Sequence, residues 1–263
     1  MLLSSILVAT LSLWSSSSPI VAWQNNFTVT GRPEIKVASK NVSIRVYASQ
    51  RADIQATLFT DKGLSKEAAS ITNRQSGRVL ELDVRMADNW TSGLRQAPVL
   101  ELRIPLASDV DLRSENGSVI VRETEGKLTI VTDKGNIEAV GIRGALDVES
   151  GHGDLKVDGT VTAVRLDTRS GNVQAQINHG STMDSGWIVR TGDGNVDLGL
   201  PAGFSADLDV QAMDGNIHLD FPIAGTGSER QSRIRGPING GGQHLELHSD
   251  KGNIMVRHNR SPI

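Results

Sequence analysis

One phrase recurs seven times between about Val110 and Val256. It reads apolar, polar, apolar, polar, Ser/Thr, two turn residues, Gly, Asn/Asp/Ser, apolar, polar, apolar. The copies centre on Gly117, Gly135, Gly153, Gly171, Gly194, Gly215 and Gly252. Seven and five residues before each glycine, and two and four after it, stand apolar side chains. They run from Val110, Leu112, Val119 and Val121 in the first copy to Leu245, Leu247, Ile254 and Val256 in the last. Four positions in each of seven copies make 28, all apolar, in a chain that is only 38% hydrophobic. Chance does not produce that.

The residues between are mostly polar, so the period is two, the mark of strands with one buried face. Each glycine lies between two such strands, where a turn asks for a residue that accepts positive φ. The Asn or Asp that usually follows it (Asn136, Asp154, Asn172, Asn195, Asn216, Asn253) suits the same turn. The first four glycines are each 18 residues apart, and later gaps are 23, 21 and 37. A fixed period of this size signals stacked units that cannot bury an apolar face alone. The expected fold is all-β: a β-solenoid of about seven short rungs, a rod of about 30 Å at roughly 4.8 Å per rung. Ser114, Thr132, Ser150, Thr168, Thr191 and Ser249, three before each glycine, would form a hydroxyl ladder at one corner. Alternation alone is also compatible with a two-sheet β-sandwich.

Outside the repeats, residues 1–22 carry no charge, are largely apolar at the start and end in Ile20-Val21-Ala22. They read as a secretory signal peptide, although the usual basic start is missing. Residues 23–106 are strand-like with a looser rhythm and are expected to cap the solenoid repeats of 107–258, leaving a tail at 259–263. Arg257, His258, Arg260 and Pro262 would discourage strand addition at the terminal edge. The chain has no cysteine, which removes disulfides and thiolate metal sites. A net charge of −3, spread without blocks, gives no electrostatic case for nucleic acid or an anionic membrane. No transmembrane segment is expected in the mature chain.

Laid out in this way, the sequence resembles the putative adhesin family of exported bacterial proteins, a domain of unknown function. The resemblance is carried by Leu102-Arg103-Ile104-Pro105 leading into Leu112-Arg113-Ser114-Glu115-Asn116-Gly117-Ser118-Val119. The repeated Ser/Thr-x-x-Gly-Asn/Asp phrase follows, then Leu200-Pro201-Ala202-Gly203-Phe204-Ser205-Ala206, and Gly240-Gly241-Gly242 before the last copy. It spans about Val29 to Val256. It implies a β-solenoid, an envelope or surface location and no established catalytic residues.

Specific chemistry is harder to read. Repeats-in-toxin rolls place a calcium-binding acid two residues after the second glycine of each turn, where this chain is always aliphatic. Ser150-Gly151-His152-Gly153-Asp154 comes nearest, once. His244, Glu246 and His248 alternate on one strand face, a spacing zinc accepts but one that a solvated face also produces. Outward acids (Asp111, Asp147, Glu149, Asp167, Asp197, Asp209) could meet by stacking, as in enzymes that cut polysaccharides on a β-helix, and are equally what a soluble face looks like. Aromatic rings that would stack on sugars are few. The expectation is an exported, non-enzymatic scaffold or adhesion surface in the bacterial envelope. It would have no cofactor and no metal, and its partner would be an envelope protein or a glycan. A polysaccharide-active enzyme and an envelope sensor or regulatory partner are the alternatives. The seven glycines are expected to be structural.

Overall fold

A computed structural model describes residues 19–64, 68–91, 96–223 and 232–259. The expected signal peptide therefore lies, up to residue 18, outside the described residues, as does the tail from residue 260. Alternating sequence becomes alternating burial. Of the 28 ladder positions 27 are buried, and Leu219 is half-buried at the end of the stack.

The elements in order are β1 (Ile20–Thr28), β2 (Glu34–Lys40), β3 (Ser43–Ser49), β4 (Asp53–Thr60), β5 (Ala69–Ser76) and β6 (Val79–Met86). A helical turn, α1 (Asp88–Thr91), leads to β7 (Val99–Pro105), β8 (Asp109–Asn116), β9 (Val119–Arg122) and β10 (Leu128–Lys134). Two long strands, β11 (Ile137–His152) and β12 (Leu155–Ser170), pass through a corner and serve both faces of the rod. Then come β13 (Val173–Ile177), β14 (Trp187–Asp193), β15 (Val196–Leu200), β16 (Ala206–Asp214), β17 (Ile217–Leu219), β18 (Arg233–Ile238), β19 (His244–Lys251) and β20 (Ile254–His258).

Each rung is one strand on a first face, the glycine corner, and one strand on a second face. Neighbouring rungs pair in parallel and in register, Leu112 beside Ile130, Ile130 beside Val148 and Val148 beside Leu166. Parallel pairing at an 18-residue offset is a solenoid and not a sandwich. On the first face the spatial order is β5, β6, β2, β8, β10, β11, β12, β14, β19, β16, β18. On the second it is β1, β4, β7, β3, β9, β11, β12, β13, β15, β20, β17. Nine parallel strands on each face give nine rungs, about 38 Å of rod at roughly 4.8 Å per spacing. Two rungs, β2–β3 and β6–β7, come from the N-terminal part, expected to start the sheet and cap the repeats. That part also supplies the antiparallel strands β1, β4 and β5.

The stack does not follow the chain. At one end the first rung, β2–β3, lies inside the second, β6–β7. At the other, the last rung, β19–β20, is inserted between β14–β15 and β16–β17. This corrects the expected role of Arg257 and His258 as guards of a terminal edge. Arg257 instead donates to Asp197 of the neighbouring rung (2.6 Å), and the His258 ring lies 4.2 Å from that of Phe221. Antiparallel β18 closes the first face, and its Pro237, Arg233 and Arg235 blunt that edge.

Arg233 and Arg235 both donate to Asp209, whose side chain is 13% exposed. These bonds, that of Arg233 foremost, hold its carboxyl well below the usual carboxylate range. A depressed carboxyl contributes stability above its unfolded value, about 3.9, and loses it as pH falls. Exchange protection of β18 amides, relative to those of β10 to β12, is expected to decline below about pH 4. Asp209→Asn should remove that pH dependence.

Inward and outward assignments are testable at adjacent residues. Leu166 is fully buried, whereas Asp167 faces solvent with Arg165 3.6 Å away. Leu166→Ala is expected to destabilise by about 2–5 kcal/mol, and Asp167→Ala by about 0.5 kcal/mol or less. Denaturant midpoints at unchanged slope measure both. Equal effects would contradict the assignment.

Candidate binding surface

The corner between the faces is built from three ladders. Ser114, Thr132, Ser150, Thr168, Thr191 and Ser249 are all buried in register, and Ser39 joins them at the N-terminal side. Thr168, Thr191 and Ser249 donate to the carbonyls of Gly153, Gly171 and Gly194 one rung away. The glycines form the second ladder. Gly117, Gly135, Gly153, Gly171 and Gly252 have positive φ, as their turns were expected to demand. Gly194 and Gly215 do not. For them, as for the others, a Cβ would collide with a backbone carbonyl of the adjacent rung. Stacking, more than turn geometry, is what requires glycine.

The third ladder revises the expected role of the asparagines. None of them has positive φ. Instead the Oδ1 of Asn136, Asp154, Asn172, Asn195 and Asn253 each accepts from the backbone N–H of the equivalent residue in the next rung, at 2.8–3.0 Å. The ladder ends on Asn216, which confirms that the last rung is inserted before it. Asp154, the nearest approach to a calcium motif, is spent on accepting from Asn172.

The outward acids mostly meet bases. Asp147 and Asp167 share Arg165, Asp197 binds Arg257, and Asp111 lies beside Arg113. Glu149 and Asp167 are neighbours in register, but Glu149 is exposed, so they make no enclosed carboxylate pair. His244, Glu246 and His248 do share a face, with Glu246 held by Arg190 (2.6 Å) and His248 by Asp250 (2.8 Å). A cavity of about 420 Å³ on the first face carries Arg74, Glu81, Lys36 and Asp111 side by side. Their alternating signs cancel, as on any solvated strand face.

The opposite edge of the second face is different. Two cavities, of about 390 and 270 Å³, adjoin at Glu123 and Gly141 and are taken together as a trough. The larger is lined by Gln50, Leu106, Thr124, Arg143, Thr160 and Asn178, the smaller by Tyr47, Arg122 and Val140. Apart from Leu106, which follows β7, these residues lie on or just beyond β3, β9, β11, β12 and β13, five consecutive rungs, about 19 Å. Gly141 and Gly159 keep its floor clear of side chains.

Glu123 stands out by its backbone. Three non-glycine residues among those described have positive φ: Asn41, Asn239 and Glu123 (φ 59°). The two asparagines tolerate it and use their side chains to bind nearby carbonyls. The next rung uses Gly141 (φ 72°) beside Glu123, with an added Cβ only 3.3 Å from the Glu123 Cγ. Glutamate in that conformation costs about 1–2 kcal/mol. Such strain concentrates at functional sites. Thr124 next to it is 2% exposed, and its Oγ1 has no hydrogen-bond partner among the described residues. Nothing in the repeat phrase pointed to this trough, because the phrase stops at the residue four after each glycine.

The family described as Toastrack DUF4097 matches residues 33–186 and 107–257. None of the curated proteins compared matches the chain. Among solved structures, a "putative adhesin" from Bacteroides fragilis NCTC 9343 is 16% identical, with a TM-score of 0.50, covering 92% of this chain and 98% of that one. A "putative cell adhesion protein" from Clostridium sporogenes ATCC 15579 is 12% identical, with a TM-score of 0.40, covering 92% and 100%. At these identities the likeness is one of fold.

Proposed function

The chain belongs to the Toastrack DUF4097 family, and on that footing we propose that it is an exported, non-catalytic binding module of the bacterial envelope whose ligand lies in the trough. The observation that carries this reading is Glu123, a carboxylate kept at a backbone position where the adjacent rung uses glycine. Strain of this kind persists where a side chain is needed. The antiparallel strands at both ends of the rod support a surface that works along its length. The adhesin name belongs to the Bacteroides fragilis protein, and an adhesive role for this chain is consistent with it.

Export rests on the apolar, uncharged start of the sequence. β1 crosses the expected cleavage point, with Ile20 and Val21 exposed and a register shift between Val21 and Trp23. Cleavage after Ala22 would remove only the part beyond that shift and leave Trp23–Thr28 paired with β4. No helix among the described residues is long and apolar enough to cross a membrane. Fractionation of the native host with N-terminal sequencing tests the location, and sedimentation with isolated envelopes tests binding. The expected result is a chain starting near Trp23, outside the cytoplasm, that co-sediments with envelopes. Cytoplasmic protein retaining Met1, or protein that ignores envelopes, would contradict the proposal.

A further inference from the structure

We propose that the trough binds an extended, uncharged glycan chain; this rests on the reading that the trough is the binding surface. Its length across five rungs suits a linear polymer rather than a compact metabolite. Its chemistry is that of hydroxyl recognition. Gln50, Glu123 and Arg143 each present a planar pair of polar atoms, which match adjacent sugar hydroxyls that both donate and accept. Thr160 adds a hydroxyl. Tyr47, the single tyrosine of the chain, lines one end, between Arg103 and Arg122 in register. An aromatic face there can stack on the apolar face of a sugar ring.

Charge separates this class from acidic polymers. Arg122 is held by Glu138 at 3.1 Å, which leaves Glu123 and Arg143, of opposite sign, in the trough. A polyanion would require an unbalanced basic lining. Backbone use separates it from an extended peptide, which binds by adding a strand to free main-chain groups. Along the trough those groups are already paired between rungs: Glu123 N–H to Val140 O, Arg143 N–H to Thr124 O and Asn178 N–H to Gly159 O, at 2.8–2.9 Å. Recognition is left to side chains.

The test uses the purified protein against immobilised linear hexasaccharides of neutral and N-acetylated sugars, the corresponding uronic acid oligomers, and a library of extended peptides. Neutral oligosaccharides are expected to bind. Tyr47→Ala and Glu123→Gly are each expected to weaken that binding by about tenfold or more, the size of a lost aromatic stack or charged hydrogen bond. Glu149→Gln, on the other face, should bind as the parent does. Glu123→Gly relieves the strained backbone, so its melting temperature should equal or exceed the parent's, and lost binding cannot be attributed to unfolding. Preference for uronic acids or peptides, or binding unaffected by both variants, would overturn the inference. Envelope binding that survives both variants would overturn the trough reading itself. Envelope binding lost in both, with no response to any neutral oligosaccharide, would overturn the glycan assignment alone.

Discussion

Truncation after Gln243, which removes β19 and β20, is expected to abolish cooperative folding of the C-terminal half rather than to shorten the rod by one rung. The lost rung carries Leu245, Leu247, Ile254 and Val256, all fully buried. At about 1.5–3 kcal/mol for each buried aliphatic side chain, the loss is comparable to the whole stability of a typical domain, about 5–15 kcal/mol. It also opens a gap, because β14 and β15 on one side and β16 and β17 on the other pair with the missing strands and not with each other. The asparagine ladder breaks at the same place, between Asn195 and Asn216. A solenoid stacked in chain order would behave otherwise, since an end repeat contacts only one neighbour. Circular dichroism melts and gel filtration decide it. An aggregated or partly unfolded product is expected, and a monomer with a slightly smaller, still cooperative transition would contradict the inserted rung.

The second large effect is expected at the glycine corner. Gly171→Ala meets two penalties, a positive φ of 148° and a collision between the new methyl and the Gly153 carbonyl oxygen. Gly194→Ala meets the collision with the Gly171 carbonyl oxygen alone. Overpacking of this kind costs about 1–3 kcal/mol, and an unfavourable φ about 1–3 kcal/mol more. Gly194→Ala is thus expected to destabilise by about 1–3 kcal/mol and Gly171→Ala by about 2–6 kcal/mol. Gly203, with nothing within 4 Å of an added Cβ, is the control and should change by about 0.5 kcal/mol or less. If Gly194→Ala behaved like Gly203→Ala, the rungs would not approach as closely as described.

The first face, the second face and the corner were legible because burial, stacking and hydroxyl placement all repeat with the glycine. Ser39 escaped because Val42 occupies the glycine position of its rung, so a glycine-anchored pattern passes over it. Rung order was not legible for a physical reason. Every rung offers its neighbours the same aliphatic ladder, and periodicity cannot tell Leu245 beside Trp187 from Leu208 beside Trp187. The 37-residue gap and the Gly240-Gly241-Gly242 run before the last copy were the marks left by the excursion through β18. The asparagines were found for the wrong reason, since their turn chemistry and their cross-rung bonding favour the same residue. The trough lies at a corner without a shared phrase. Its one sequence signal was Glu123, six residues after Gly117, where the next copy has Gly141 six residues after Gly135.

Thiol protection tests the central claim, that the ligand lies in the trough, most directly. The chain contains no cysteine, so single substitutions report single places. Gln50→Cys and Thr160→Cys put a thiol at two points of the trough, and Glu149→Cys puts one on the first face. Alkylation rates would be measured on each folded variant with and without the envelope material that the protein binds. Slower alkylation at 50 and 160, with no change at 149, is the expected result. Protection at 149 with unchanged rates at 50 and 160 would contradict it.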